Sequence, residues 1–141
     1  MIESLALIVS VCGMVLVVFG LRQAAKIHRQ TTDAQIFLEL TARFNNLEGI
    51  QKIIAHDDLD KPYKKSPSLD GSVCSYFDLL SQEYHLNQIK VLSDQVWNMW
   101  QDDIKRIITS PLMRGAWHDT VHDRYSHHSA FVQYVEVLLS S

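Results

Sequence analysis

The longest apolar stretch of the chain lies near its N-terminal end. Residues 4–21 read SLALIVSVCGMVLVVFGL and carry no charged side chain. A helix rises about 1.5 Å per residue, so about 20 apolar residues cross the hydrocarbon core of a bilayer. The pattern therefore predicts one N-terminal transmembrane helix, within an anchor and basic juxtamembrane segment that we place at residues 1–30.

The charges on either side of this stretch distinguish an anchor from a cleaved signal peptide. Glu3 precedes the stretch, whereas Arg22, Lys26 and Arg29 follow it. A signal peptide carries its positive charge first and has a shorter apolar core. Because Lys and Arg collect on the cytoplasmic side, we expect the N-terminus outside, these three basic residues at the lipid headgroups and the rest of the chain in the cytoplasm.

Small residues gather on one side of the predicted span. On a helical wheel, six residues fall within about 80° of one another: Ala6, Ser10, Gly13, Val17, Gly20 and Ala24. Small side chains let two helices approach closely in lipid, where packing drives association. We predict that this stripe contacts another integral membrane protein or a second copy of the chain. The alternative is a bare anchor in which these residues occur by chance.

After the span the pattern stays helical, and residues 31–141 predict one small all-α cytoplasmic domain of four or five helices. Apolar residues recur at steps of three and four from Phe37 to Ile54. The pattern allows the anchor to run straight into the first helix of this domain, with Thr31–Thr32–Asp33 as a weak candidate break and cap. Residues 56–71 contain two prolines, one glycine and seven Asp or Lys residues, which predicts a connector loop.

Later apolar stripes predict helices that begin at Ser72, at Ser93–Asp94, at Ser110–Pro111 and near His128. No alternating strand pattern is visible. Aromatic residues on these stripes have two interpretations, a packed core or a platform for stacking a ligand, and the core is favoured in a domain this small. The predicted core of the helical domain is Phe77, Leu80, Tyr84, Trp97, Trp100, Trp117 and Phe131.

Charge, cysteine spacing and the lack of catalytic motifs exclude several classes of function. The net charge of −3 gives no basic character that points to nucleic acid. The two cysteines, Cys12 and Cys74, lack the spacing of a metal-binding motif and predict no disulfide. No phosphate-binding loop or nucleophile motif is present, so we predict no catalytic residue, no cofactor and no small-molecule substrate.

Two groups of polar residues are candidate sites. His118 and His122 are spaced as two metal ligands on one helix face would be, yet Asp119 stands where a metalloprotease has its glutamate. A solvated polar face is the favoured interpretation, with a metal site as the alternative. A second acidic group is interpreted as solvated ion pairs on helices: Glu83, Asp102, Asp103 and Arg106.

Four segments of the chain carry a resemblance to a known family. They are Tyr76–Tyr84 (YFDLLSQEY), Val96–Trp100 (VWNMW), Ser110–Trp117 (SPLMRGAW) and Phe131–Val135. Together they resemble an uncharacterised family of bacterial membrane proteins with one N-terminal span and a small helical cytoplasmic domain. The resemblance implies an all-α fold and an inner-membrane location, and it supplies no catalytic residue. Some similar proteins carry labels connected with abortive phage infection.

These observations favour a non-enzymatic interaction protein. We expect an accessory or stabilising subunit of a larger membrane complex, with a respiratory or photosynthetic complex as one host, or a homo-oligomer. A membrane-tethered stress or antiphage factor is the second hypothesis. The third is a metal-dependent enzyme centred on His118 and His122.

Overall fold

The computed structural model describes the backbone of residues 2–141 and the side chains of residues 17–141. The predicted all-α fold is confirmed: this part of the chain is helical and contains no strand. The α-helices are α1 (Ile2–Asn45), α2 (Glu48–Ala55), α3 (Pro67–Gln88), α4 (Asp94–Ile108), α5 (Pro111–Ala116) and α6 (Ser129–Ser140).

The predicted span at residues 4–21 falls mainly on residues whose side chains lie outside the described part of the chain. The same holds for three residues of the small-residue stripe, Ala6, Ser10 and Gly13. Among the residues that are described, none of the helices combines the length and apolarity needed to cross a bilayer.

The chain divides into two compact units, Met1–Ile36 and Phe37–Ser141. Of the two alternatives at Thr31–Thr32–Asp33, the continuous helix is confirmed and the break is wrong, because α1 runs through these residues. The hydroxyls of Thr31 and Thr32 donate to the carbonyl oxygens of Ile27 and His28, each at 3.0 Å. Hydroxyls that bond back to the preceding turn are satisfied inside a helix and do not cap a new one.

The second unit is built on aromatic packing. Phe77 and Trp117 are fully buried, and their ring centroids lie 5.1 Å apart. Burying an aromatic ring of this size stabilises a fold by about 2 to 3 kcal/mol. Of the seven residues predicted for the core, five are buried, and Tyr84 and Trp100 are partly exposed.

Serine caps begin two helices where the sequence predicts them. Ser93 Oγ accepts a hydrogen bond from the Val96 amide of α4, and Ser110 Oγ accepts one from the Met113 amide of α5, both at 3.4 Å. Pro111 occupies the first turn of α5, where its missing N–H is no loss. Local cap chemistry therefore sets both boundaries.

The connector predicted at residues 56–71 is shorter than expected. α3 begins at Pro67, and Ser66 Oγ caps it by accepting a hydrogen bond from the Leu69 amide at 3.3 Å. Asp70 reaches back to the Ser66 amide at 3.3 Å, which completes a reciprocal cap. The remaining connector contains a short 3₁₀ turn, Asp58–Asp60, whose Leu59 is buried.

The helix predicted to run from Ser110 to near His122 changes its winding part way. After α5 the chain forms a π-helical turn, Trp117–Val121, and then a 3₁₀ turn, His122–Tyr125. Tyr125 at its end donates a hydrogen bond to Asp78 of α3, and Arg124 forms an ion pair with the same carboxylate at 3.0 Å. These bonds fix the end of the segment against α3.

Candidate functional site

A cavity of about 290 Å³ opens within the second unit, between the last turns of α1, α3 and α4. Its volume lies near the lower limit for small-molecule sites, which are about 300–1,000 Å³. Most of its wall is apolar, with Leu40 from α1, Leu79 and Leu80 from α3 and Ile104 from α4 among the lining residues. The cavity therefore offers a small apolar chamber in a unit for which the sequence predicts no ligand.

Glu83 of α3 is the principal polar group of the cavity. Its side chain is only 8% exposed, and within the described residues it makes no hydrogen bond and no ion pair. Removal from water disfavours the charged carboxylate, so burial raises the pKa of Glu83 to about 7. A carboxyl group held this way changes charge near neutral pH and has unused bonding capacity toward the cavity.

Two hydroxyls accompany Glu83 along the wall. Thr41 Oγ1 is buried and lacks a hydrogen-bond partner among the described residues. Tyr76 is 4% exposed, and its hydroxyl likewise has no hydrogen-bond partner in the described part of the chain. Burial raises the pKa of Tyr76, with the charge of Glu83 a smaller contribution, so this hydroxyl stays protonated. Of these three groups, Thr41 Oγ1 is an oxygen fully withdrawn from solvent, and since buried polar atoms are nearly always satisfied, its lack of a partner among the described residues calls for an explanation.

Aromatic rings form part of the same wall. Phe44 meets Tyr76 edge to face, with ring centroids 6.2 Å apart. Trp100 also lines the cavity and stacks on Phe37 at 5.4 Å. Trp100 is partly exposed, unlike the buried Tyr76 of the same wall.

The charged residues that the sequence analysis interprets as solvated ion pairs lie in different environments: Glu83 is buried, whereas Asp103 and Arg106 are exposed. Asp103 and Arg106 do form an exposed pair at 3.4 Å on α4, and Asp103 lies at the cavity. For Glu83 the interpretation is wrong, because this side chain is buried and has no basic partner among the described residues. The burial of Glu83 could have been predicted from the sequence, because Glu83 follows Tyr76 and Leu80 at helical spacing and so shares their buried face.

The histidine pair does not form a metal centre with neighbouring ligands. His118 is exposed on the π-helical turn, and His122 packs edge-on against the Trp117 ring at 5.6 Å. His122 Nδ1 lies 3.4 Å from a carboxylate oxygen of Asp123. Across the described residues, no group of three His, Cys, Asp or Glu side chains is arranged to hold a metal ion.

The described residues of the small-residue stripe lie on the surface of α1. Val17, Gly20 and Ala24 are exposed, and a Cβ placed on Gly20 meets no atom within 4 Å. The predicted headgroup residues are also exposed on this helix: Arg22, Lys26 and Arg29. Within the described residues, Gly20 therefore has room for an added Cβ.

Comparison with known proteins yields no relative. The chain matches no family model, and neither a curated protein nor a solved structure matches it.

Proposed function

We propose that this protein is a single-span membrane-anchored interaction protein, an accessory or stabilising subunit that docks against another integral membrane protein. Its place is the bacterial inner membrane, with the N-terminus outside and the helical unit in the cytoplasm. The observation that carries the proposal is the run of eighteen residues without charge at 4–21, followed directly by basic residues.

The two sides of α1 differ in the kind of contact that they can make. On a helical wheel, Val17, Gly20 and Ala24 share one side, whereas Arg22 and Lys26 point to the opposite side. A partner helix can approach the small side chains closely. The basic side chains then remain free to contact phospholipid headgroups.

A gentle-detergent purification of the tagged full-length chain from native membranes tests this function. We expect integral membrane proteins to co-purify in stoichiometric amounts. Gly20→Leu should release them, because an added Cβ meets no atom of the described chain within 4 Å, whereas a leucine side chain blocks close approach of a second helix. Val18→Leu is the matched control: it adds bulk to another exposed side of α1 and should leave the assembly intact.

Three other outcomes would contradict an accessory subunit. Recovery of copies of this chain alone, dissociated by Gly20→Leu, would establish a homo-oligomer. Recovery of a monomer, with membrane damage when the chain is overproduced, would establish a membrane-tethered stress factor. Release of the protein from membranes by alkaline carbonate would exclude the span itself.

A further inference from the structure

The cavity beside Glu83 combines features that select a ligand by its charge. Glu83 and Asp103 are both acidic, and none of the described residues that line the space is a lysine or an arginine. Asp103 lies at the exposed rim and pairs with Arg106, whereas Glu83 lies at the buried wall. A cation that reaches Glu83 therefore meets an uncompensated carboxylate in surroundings of low polarity, where charge-assisted hydrogen bonds are strong.

The aromatic wall reinforces the same preference. Phe44, Tyr76 and Trp100 line the cavity, and an aromatic ring attracts a cation that lies over its face. The hydroxyls of Tyr76 and Thr41 add acceptors without partners among the described residues. An ammonium group has three donors and no acceptor, so it matches this set of groups.

The remaining wall sets the shape of the rest of the ligand. Leucine and isoleucine side chains from α1, α3 and α4 enclose the space around the acidic group. An apolar body of one ring or a short branched chain fits a volume of about 290 Å³. We propose that this cavity is a binding site for a small amphipathic amine, whose ammonium group pairs with Glu83 and whose apolar body packs against Leu40, Leu79 and Ile104.

Calorimetric titration of the full-length protein in lipid nanodiscs tests this site. The probe is 2-phenylethylamine at pH 8, where Glu83 is mostly ionised, and 2-phenylethanol is its uncharged analogue. Empty nanodiscs correct for partition of either compound into lipid. We expect saturable binding of the amine and at least tenfold weaker binding of the alcohol.

Three variants locate the binding. Glu83→Gln keeps the size of the side chain and should weaken amine binding by about 10- to 100-fold, the usual effect of losing a charged hydrogen bond. Thr41→Leu places extra volume at the wall and should weaken it to a similar extent. Asp102→Asn changes an exposed carboxylate of α4 that does not line the cavity, and should leave affinity unchanged.

The proposal fails if the amine and the alcohol bind equally, or if Glu83→Gln binds the amine as the unchanged protein does. Affinity that survives Thr41→Leu would also overturn it, because the ligand would then lie elsewhere. This readout is independent of co-purifying membrane proteins. Failure of the proposed docking function therefore leaves the amine site standing, and the reverse also holds.

Discussion

Trp117 Nε1 donates a hydrogen bond to Glu136 Oε1 at 2.6 Å, which joins the π-helical turn to α6. Trp117 is fully buried, so its N–H has no access to bulk water and depends on this one acceptor. Arg114 of α5 makes a second link to α6 by donating a hydrogen bond to the Leu139 carbonyl oxygen at 2.8 Å. Two side chains of the 111–121 segment therefore hold the last helix in place.

Replacement of Glu136 by leucine should reduce the free energy of unfolding by about 1.5 to 3 kcal/mol. The change leaves the buried Trp117 N–H without an acceptor, and an unmade hydrogen bond to a charged group accounts for an effect of that size. Chemical denaturation of the full-length protein in detergent, followed by circular dichroism, measures it. Glu136→Gln retains an oxygen acceptor and is the control; an equal loss in both variants would show that the bond contributes nothing.

Glu83→Gln should make the protein more stable at pH 8 and flatten its stability profile between pH 4.5 and 8. The pKa of Glu83 rises from 4.5 to about 7 on folding, so the native state binds more protons than the unfolded state in this range. The contribution of Glu83 to the free energy of unfolding is fully present below pH 4.5, and it is lost as the pH rises through 7. Complete loss corresponds to roughly 3 kcal/mol.

The pH dependence is measured as the difference in unfolding free energy between the two proteins at several pH values. Taking the difference removes the contributions of the other carboxylates. A difference that stays constant from pH 5 to pH 8 would show that Glu83 has an ordinary pKa and is solvated in the folded protein.

Thr41→Val should stabilise the protein by about 1 kcal/mol. The substitution keeps the shape of the side chain and replaces a buried hydroxyl that has no partner among the described residues. Desolvation of such a group opposes folding, and its removal relieves that penalty. Thermal unfolding measures the change, with Thr31→Val as a control whose hydroxyl is bonded to the helix backbone. A destabilised Thr41→Val would indicate that the hydroxyl has a water or ligand partner.

Two glycine-to-alanine substitutions should act in opposite directions. A Cβ on Gly115 would lie 2.7 Å from Tyr63 Cβ, so the connector must shift, at a loss of about 1 to 3 kcal/mol. A Cβ on Gly71 meets nothing within 4 Å, and alanine there should gain about 0.5 to 1 kcal/mol from lower chain entropy. Parallel denaturation of both variants checks this, and equal effects would contradict the packing of Tyr63 against α5.

Sequence reasoning succeeded where structure is set locally. The serine caps at Ser93 and Ser110 involve residues three apart, so their effect can be predicted without knowing the fold. The same rule applied at Ser66–Pro67 predicts that α3 begins at Pro67, five residues before the predicted start at Ser72. The many charged residues of this segment favoured a loop instead, although the cap residues that set the boundary are present in the sequence.

The cavity and its acidic group were not predicted, because they depend on tertiary packing. Helical spacing alone places Glu83 beside Tyr76 and Leu80, yet whether a glutamate on that face finds a basic partner is decided by α1 and α4. Trp100 looks like any other core residue in the sequence. Only the assembled helices show that it borders an open space.

The π-helical turn at Trp117–Val121 makes this region sensitive to chain length as well as to residue type. A π-turn accommodates more residues per turn than an α-helix, so it takes up one residue that regular winding would not. Deleting a residue there would let the turn return to α-helical winding, whereas a residue deleted from α5 has no such slack and would rotate all that follows by about 100°. Tyr125 and Arg124 would then leave Asp78 although each side chain is unchanged. Single-residue deletions in α5 are therefore more damaging than single-residue deletions within the π-helical turn.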